Sequence, residues 1–402
     1  MRFLQLLLLL LLLTNSLMSI PPPMITSDKP GTWAHSTMSS RIDITIIRKI
    51  FSDNADNDKF TPQAKANLEK LSSELQSSSP LRHIEPDDSA WRDILSPLIS
   101  RQLTYLTAPW LISEFYVYRR VIEAIDYDSS SFDPFLLEKE KGLTSTLPLA
   151  NELIKKLGET SSSSSSLYMS IAASLWGNKA DLSLWGSASS GKTPTSTNVD
   201  NLLCDDSGAL EAYLLGEARP KTIHIVLDNA GYELCSDLVL ANQLLKMDFN
   251  VTLHCKSHPT FVSDALTSDV VNTLGRLGDF GQQLLTSSKL SIVDDKFWNL
   301  PLRMDKIPLH LFNDFKGNLV IFKGDANYRR LLEDRTYDYT DPFADCIGEL
   351  SKLTSVLALR CLKAELGCGM NPKLVERAKS DKDWLVSGNF GVIQFVQEIK
   401  LP

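Results

Sequence analysis

Apolar residues recur every three or four positions from Phe60 to Leu75, the spacing of a helix with one buried face. Pro109-Trp110-Leu111 opens a second such stretch, Ile112 to Ile125, with proline near its first turn. Asp133-Pro134-Phe135 reads as a turn before a third, Leu136 to Leu157. The serine run 161–166 predicts a solvated loop. Leu167 to Trp185 returns to a helix-like pattern rich in aromatics, and Gly186 to Ser190 to a loop. Residues 24–166 therefore read as a mainly helical region.

From about residue 210 the period changes. Thr222 to Leu227 is a short β-branched run, as in a buried strand. Glu233 to Met247 follows as a helix, and Phe249 to His254 as a second strand. That unit predicts a parallel pair joined by a right-handed crossover. Ser263-Asp264 reads as the cap of a helix running through Leu274. Leu290 to Val293 and Asn318 to Phe322 are further strands, and Arg329 to Glu333 begins another helix. Leu353 to Leu359 is a last apolar run, ending at Arg360-Cys361-Leu362-Lys363. The expected fold is α/β: an open, mostly parallel sheet flanked by helices, an α/β/α sandwich over 167–402, behind the helical region.

The polar residues gather where strands end. Asp228 and Asn229 follow one strand; Lys256, Ser257 and Asp264 the next; Lys323, Asp325 and Asn327 the third; Arg360 and Lys363 the fourth. In an open α/β sheet the ligand binds outside the carboxyl ends of the strands, so these groups should converge. Two carboxylates and an amide oxygen are hard ligands suited to a divalent ion. Cationic side chains with helix N-termini make a phosphate pocket. Together they point to phosphoryl transfer or phosphate-ester hydrolysis.

Composition narrows the classes. The chain has 402 residues, 43% apolar and 22% charged, with a net charge of −8, which argues against a nucleic-acid partner. The 6 cysteines form no C-x-x-C pair, which removes a zinc ribbon or thioredoxin-like site. Gly186 to Thr193 fits the P-loop letters, but proline follows at once and an aromatic, helix-like segment precedes, so a Ser/Gly loop is expected. His254 and His258 hint at zinc, yet a strand end before Pro259 would not put them on one face. The sequon Asn250-Val251-Thr252 opens a strand expected to be buried, a poor place for a glycan.

Four segments carry a resemblance: Leu175 to Ser183, Leu227 to Leu234, Lys323 to Arg329, and Arg360 to Lys363. They resemble the damage-control phosphatase family. The likeness is greatest to its third subfamily, the sugar-phosphate phosphatases that include the acidic-residue-methyltransferase-like proteins. It covers nearly the whole chain from Pro21. It implies a metal-dependent hydrolase of ketose phosphates such as fructose 1-phosphate and fructose 6-phosphate, using Mn²⁺ or else Ni²⁺, Co²⁺ or Mg²⁺. By motif the metal ligands would be Asp228, Asn229 and Asp264. Substrate contacts would come from Asp228, Asn229, Asp325, Ala326, Asn327, Tyr328, Arg329, Arg360 and Lys363. Catalysis would fall to Asp228, Asn229, Asp264 and Lys363. The attacking group would be a metal-activated water or a carboxylate such as Asp228. The subfamily signature Arg-Thr-x-Lys is altered here, with Cys361 in its second place. A thiol there should weaken a hydrogen bond and shift substrate preference rather than abolish activity. Rival readings are a carboxyl methyltransferase using S-adenosylmethionine in the same pocket, and a non-catalytic metal- or sugar-phosphate-binding protein.

The N-terminal 1–23 stand apart. Arg2 and the leucine run to Leu13 resemble a secretory signal but are too short to span a bilayer. Met18 supplies an alternative start just before Pro21-Pro22-Pro23. The family resemblance favours Met18 and the cytoplasm; a working leader would send the chain to the secretory pathway instead. No later segment is apolar for long enough to span a membrane.

Overall fold

The computed structural model describes residues 21–159, 163–177 and 200–399. The leucine-rich leader and the P-loop-like stretch lie outside the described residues, as does all of 178–199. Seven strands build one sheet: β1 (Leu202–Asp205), β2 (Thr222–Val226), β3 (Asn250–Lys256), β4 (Leu290–Asp295), β5 (Leu319–Lys323), β6 (Ser355–Cys361) and β7 (Gly391–Val396). Their order is β1-β7-β6-β5-β2-β3-β4. β2 to β6 run parallel, while β7 returns antiparallel to β6 and carries β1 beside it. The expected α/β sandwich with a helical N-terminal region is what the chain forms. The β2–β3 crossover also falls where the period changes.

Along each strand the side chains alternate between two cores. His224 and Val226, Val320 and Phe322, and Val356 and Ala358 face the helical layer from the first third of the chain. That layer contains α1 (Pro62–Gln76), α2 (Ser89–Ile99) and α3 (Trp110–Ala124). Leu68, Trp91 and Phe115 pack into the same cluster as Val320 and Phe322. Ile223, Ile225, Ile321 and Leu357 face the other way. They meet Leu143 of α4 (Leu136–Glu159), Ile171 of α5 (Ser163–Trp176) and Leu238 of α6 (Tyr232–Lys246). Before α1, residues Trp33 to Asp53 wind as one helical segment containing two π turns, Thr37–Arg41 and Asp43–Ile47.

Several local expectations need correction. Four of the serines, from Ser163 to Ser166, do not form a loop but open α5. Ser166 is buried, and the Ser170 hydroxyl donates to its carbonyl at 2.7 Å. The apolar face of Leu167, Ile171 and Leu175 overrides the weak helix propensity of serine. That helix is described to Trp176, and the remainder of the expected stretch, 178–185, lies outside the described residues. Ser263 and Asp264 do not cap the next helix, α7 (Thr267–Arg276). The Asp269 carboxylate reaches back to the Leu266 N–H at 2.9 Å instead, and Asp264 is engaged elsewhere. The helix expected from Arg329 begins earlier, as α8 (Gly324–Leu332). Asn250 is exposed at the first position of β3, although the strand beyond it is mostly buried. β1 and β7 escaped the sequence reading: four residues are too few to show a period, and Gly391 at the head of β7 masks its apolar run. No described helix is long and apolar enough to cross a membrane.

On the helical-layer face His224 Nδ1 and His254 Nε2 lie 3.0 Å apart, walled by Phe315 and Trp298. Burial holds both imidazoles neutral, lowering His224 to about 4 and His254 to about 3. A group whose folded pKa lies below its unfolded value stabilises the fold above the unfolded value, near 6.5, and loses that contribution as pH falls toward the folded one. His254→Phe should therefore flatten the pH dependence of stability between pH 6.5 and 4, by about 1.4 kcal/mol per pH unit. Urea midpoints of the two proteins at several pH values measure it; parallel curves would refute the assignment.

Candidate active site

β2 and β5 are neighbours in the sheet, yet the chain leaves β2 toward β3 on one side and leaves β5 toward β6 on the other. This is the topological switch point, where a crevice opens at the strand ends. Asp228 sits just past β2 and Gly324 just past β5. They approach so closely that a Cβ on Gly324 would lie 1.8 Å from Asp228 Oδ2. Gly324 also has φ +78°, a left-handed value that favours glycine. Glycine here lets the first turn of α8 close over the carboxylate. A cavity of about 850 Å³ opens from this point. Asp228, Asn229, Asp264, Asp325, Ala326, Arg329 and Lys363 line its sheet side.

The acidic pair is held from several directions. The chain after β3 folds back so that Asn229 and Asp264 form an isolated β-bridge. The Ala265 N–H donates to the Asp228 carbonyl at 2.8 Å. The Asn229 amide nitrogen donates to Asp228 Oδ2 at 2.7 Å and to Glu233 Oε2 at 2.9 Å. This orientation leaves the Asn229 oxygen to accept from the Ser263 hydroxyl. Burial drives the Asp228 carboxyl well above the usual carboxylate range, with the Glu233 carboxylate adding to it. Burial likewise drives the Lys256 ammonium down. Lys256 forms an ion pair with Asp264.

Among the described residues no three His, Cys, Asp or Glu side chains gather as a ready metal cage. The set at this point is two carboxylates and one amide oxygen. Its chemistry fits a hard divalent ion. Such an ion would offset the burial and the neighbouring Glu233 carboxylate that together raise the Asp228 carboxyl.

Other expected contacts are placed differently. Asn327 is buried and does not line the cavity. Its amide donates to the Leu227 carbonyl at 3.1 Å and the Lys323 carbonyl at 2.8 Å, tying the ends of β2 and β5 together. Tyr328 turns inward, its hydroxyl donating to Gln394 at 2.8 Å. Arg360 is fully buried. It donates to Asp325 at 2.7 Å and to the Leu366 and Ala364 carbonyls, so it braces Asp325 from behind. The same Asp325 oxygen accepts the Lys363 N–H at 3.1 Å. Arg329 reaches the cavity wall but is committed to Glu114 and Asp334 and stacks on Trp110 at 3.7 Å. Cys361 faces away from Arg360, its thiol donating to the Leu175 carbonyl at 3.1 Å, and does not line the cavity.

Two groups of residues went unread in the sequence. Glu233 orients Asn229 and, with Asp237, pairs the buried Lys323. Its signal was its place in the first turn of α6, five residues after Asp228. The helical layer supplies the opposite wall: Trp33, Thr37, Arg41, Thr45 and Glu114. A spacing of four from Thr37 to Arg41 to Thr45 was its trace in the sequence.

Comparison with known proteins meets this geometry. The damage-control phosphatase ARMT1-like domain matches residues 37–377. The chain belongs to this family. It is 28% identical to damage-control phosphatase ARMT1 of Xenopus laevis, over 93% of this chain and 98% of that protein. It is 30% identical to the Mus musculus protein of the same name, over 82% and 85%. A DUF89 family protein of known structure from Pyrococcus horikoshii aligns over 90% of this chain and 98% of its own, at 14% identity and a TM-score of 0.48. Family membership supports a phosphatase of metabolite damage control.

Two substitutions probe the arrangement. Gly324→Ala forces a Cβ into Asp228 and strains the backbone by about 1–3 kcal/mol. It should lower the melting temperature and abolish phosphate release, and a fully active variant would contradict the close approach. Arg329→Met leaves Glu114 and Asp334 buried without a counter-charge. Urea unfolding should show a loss of about 3–5 kcal/mol.

Proposed function

We propose that the protein is a metal-dependent phosphatase that hydrolyses sugar phosphates of the fructose 1-phosphate and fructose 6-phosphate class. The reading is supported above all by one juxtaposition. Asp228, Asn229 and Asp264 stand together at the switch point, with the first turn of α8 and Lys363 on the rim of the same cavity. Asp228, Asn229 and Asp264 would hold Mn²⁺, with Ni²⁺, Co²⁺ or Mg²⁺ as substitutes. When bound, such an ion acts as a Lewis acid on a phosphoryl oxygen.

The chain's own residues supply the rest. Glu233 accepts from the Asn229 amide nitrogen, so the Asn229 oxygen, which also accepts from the Ser263 hydroxyl, is the atom it would offer to the ion. The N–H groups of the first turn of α8 face the cavity end of the sheet and suit phosphoryl oxygens. Lys363 neutralises charge that builds on the phosphoryl group. Arg360 holds Asp325, and Asp325 in turn fixes the Lys363 backbone, so the loop bearing this cation is set before substrate arrives. The attacking group is a water or the Asp228 carboxylate. The ligand is a small molecule; a chain with a net charge of −8 is a poor partner for nucleic acid, and the compartment proposed is the cytoplasm.

Asp228→Ala should reduce phosphate release from fructose 1-phosphate in Mn²⁺ by about 10³-fold or more. Chelation of the unmodified protein should do the same, and added Mn²⁺ should restore the rate. A folded variant that releases phosphate at the original rate would defeat the assignment of Asp228.

A further inference from the structure

The cavity is larger and more cationic than one phosphate needs. Its volume of about 850 Å³ lies in the upper part of the roughly 300–1,000 Å³ range of pockets that enclose drug-sized ligands. A hexose monophosphate beside Asp228 is smaller than this volume. The other end is walled by the π-wound segment, from which Thr37, Arg41 and Thr45 point along one face into the cavity. Helical π turns are rare and cluster at functional sites.

Charge pairing separates the cations around this cavity. Arg329 is matched by Glu114 and Asp334, Lys49 by Glu138, and Arg48 by Asp43. Among the described lining residues, Lys363 and Arg41 are the cations whose heads meet no carboxylate. Lys363 has a role at the sheet end. Arg41 is at the helical end, its guanidinium 5.0 Å from the Trp33 ring centre. This contact leaves the guanidinium N–H donors unused. Two further groups nearby lack partners. The buried Thr37 hydroxyl and the buried Trp110 indole N–H, both on lining residues, make no hydrogen bond within the protein. Glu114 is the neighbouring carboxylate, and Arg329 already neutralises it.

We infer that the substrate is a phosphate ester bearing a second anionic group, which binds Arg41 on the helical wall while the ester phosphate lies beside Lys363 and Asp228. The inference rests on the phosphatase reading and, among sugar phosphates, ranks esters with a second anionic group above the fructose monophosphates. A planar guanidinium beside an aromatic face donates in two-pronged fashion to either a carboxylate or a second phosphate. The second group takes no part in the chemistry. The ester P–O bond breaks, water gives its hydroxyl to phosphorus and its proton to the leaving sugar oxygen, and the distal anion is unchanged.

The test compares fructose 1-phosphate with fructose 1,6-bisphosphate and with 6-phosphogluconate, using the full chain in Mn²⁺. The unmodified protein should favour the doubly anionic esters in kcat/KM. Arg41→Gln should lower the ratio of doubly to singly anionic kcat/KM by about tenfold, the worth of one charge-assisted contact. Arg41→Lys should retain part of it. Whether the bisphosphate or the sugar acid loses more tells a second phosphate from a carboxylate. A ratio unmoved by Arg41→Gln overturns the inference while leaving the phosphatase reading intact. Calorimetry of fructose 1,6-bisphosphate binding separates the reverse case. No turnover of any ester, with affinity still falling in Arg41→Gln, would end the phosphatase reading and keep the subsite.

Discussion

The site depends on how closely the ends of β2 and β5 approach each other. Two parallel strands diverge into separate crossovers at this point, and the space between their exits has to be closed without filling it. Glycine at 324 allows the closure, because any side chain there would collide with Asp228. Asn327 then stitches the two strand ends through the Leu227 and Lys323 carbonyls. The carboxylate, the helix N-terminus and the metal-type donors are thus placed by backbone geometry first and by side-chain contacts second.

Around that point the buried charges are organised as a chain of partners. Lys323, fully buried, meets Asp237 at 3.2 Å and Glu233 at 3.5 Å, and Ser174 of α5 donates to Asp237 at 2.6 Å. Glu233 continues to Asn229, and Asn229 to Asp228. Buried ion pairs of this kind are poor sources of net stability, since desolvation consumes most of their attraction. They do select one arrangement. α5 and α6 are held over the sheet in the register that orients the Asn229 amide. On the other face Arg329, locked by Glu114 and Asp334, does the same for α3 against α8.

The sequence disclosed this architecture where chemistry and period coincide. Apolar runs ending in Asp, Lys or Arg marked β2, β3, β5 and β6, and strand ends in an α/β sheet share one edge. It disclosed less where orientation matters. Asp325 to Arg329 are consecutive, but on a helix each residue turns by about 100°, so only part of the run can face the cavity. Asn327 and Tyr328 turn inward for that reason. Arg360 and Cys361 occupy opposite faces of β6, which sends the cation behind Asp325 and the thiol toward α5. The helical wall with Arg41 and Trp33 left only the four-residue spacing of Thr37, Arg41 and Thr45, because it meets the sheet only through tertiary packing. No local pattern records a contact made across hundreds of residues.

The cavity therefore has walls from two layers that are far apart in the chain: the π-wound segment on one side and the strand ends on the other. A molecule bridging them acts as mortar between layers as well as cargo. Its binding energy adds to the cohesion of the whole chain, because neither layer can part from the other without emptying the seam. A surplus of ligand in the cell would in this way protect the protein that binds it.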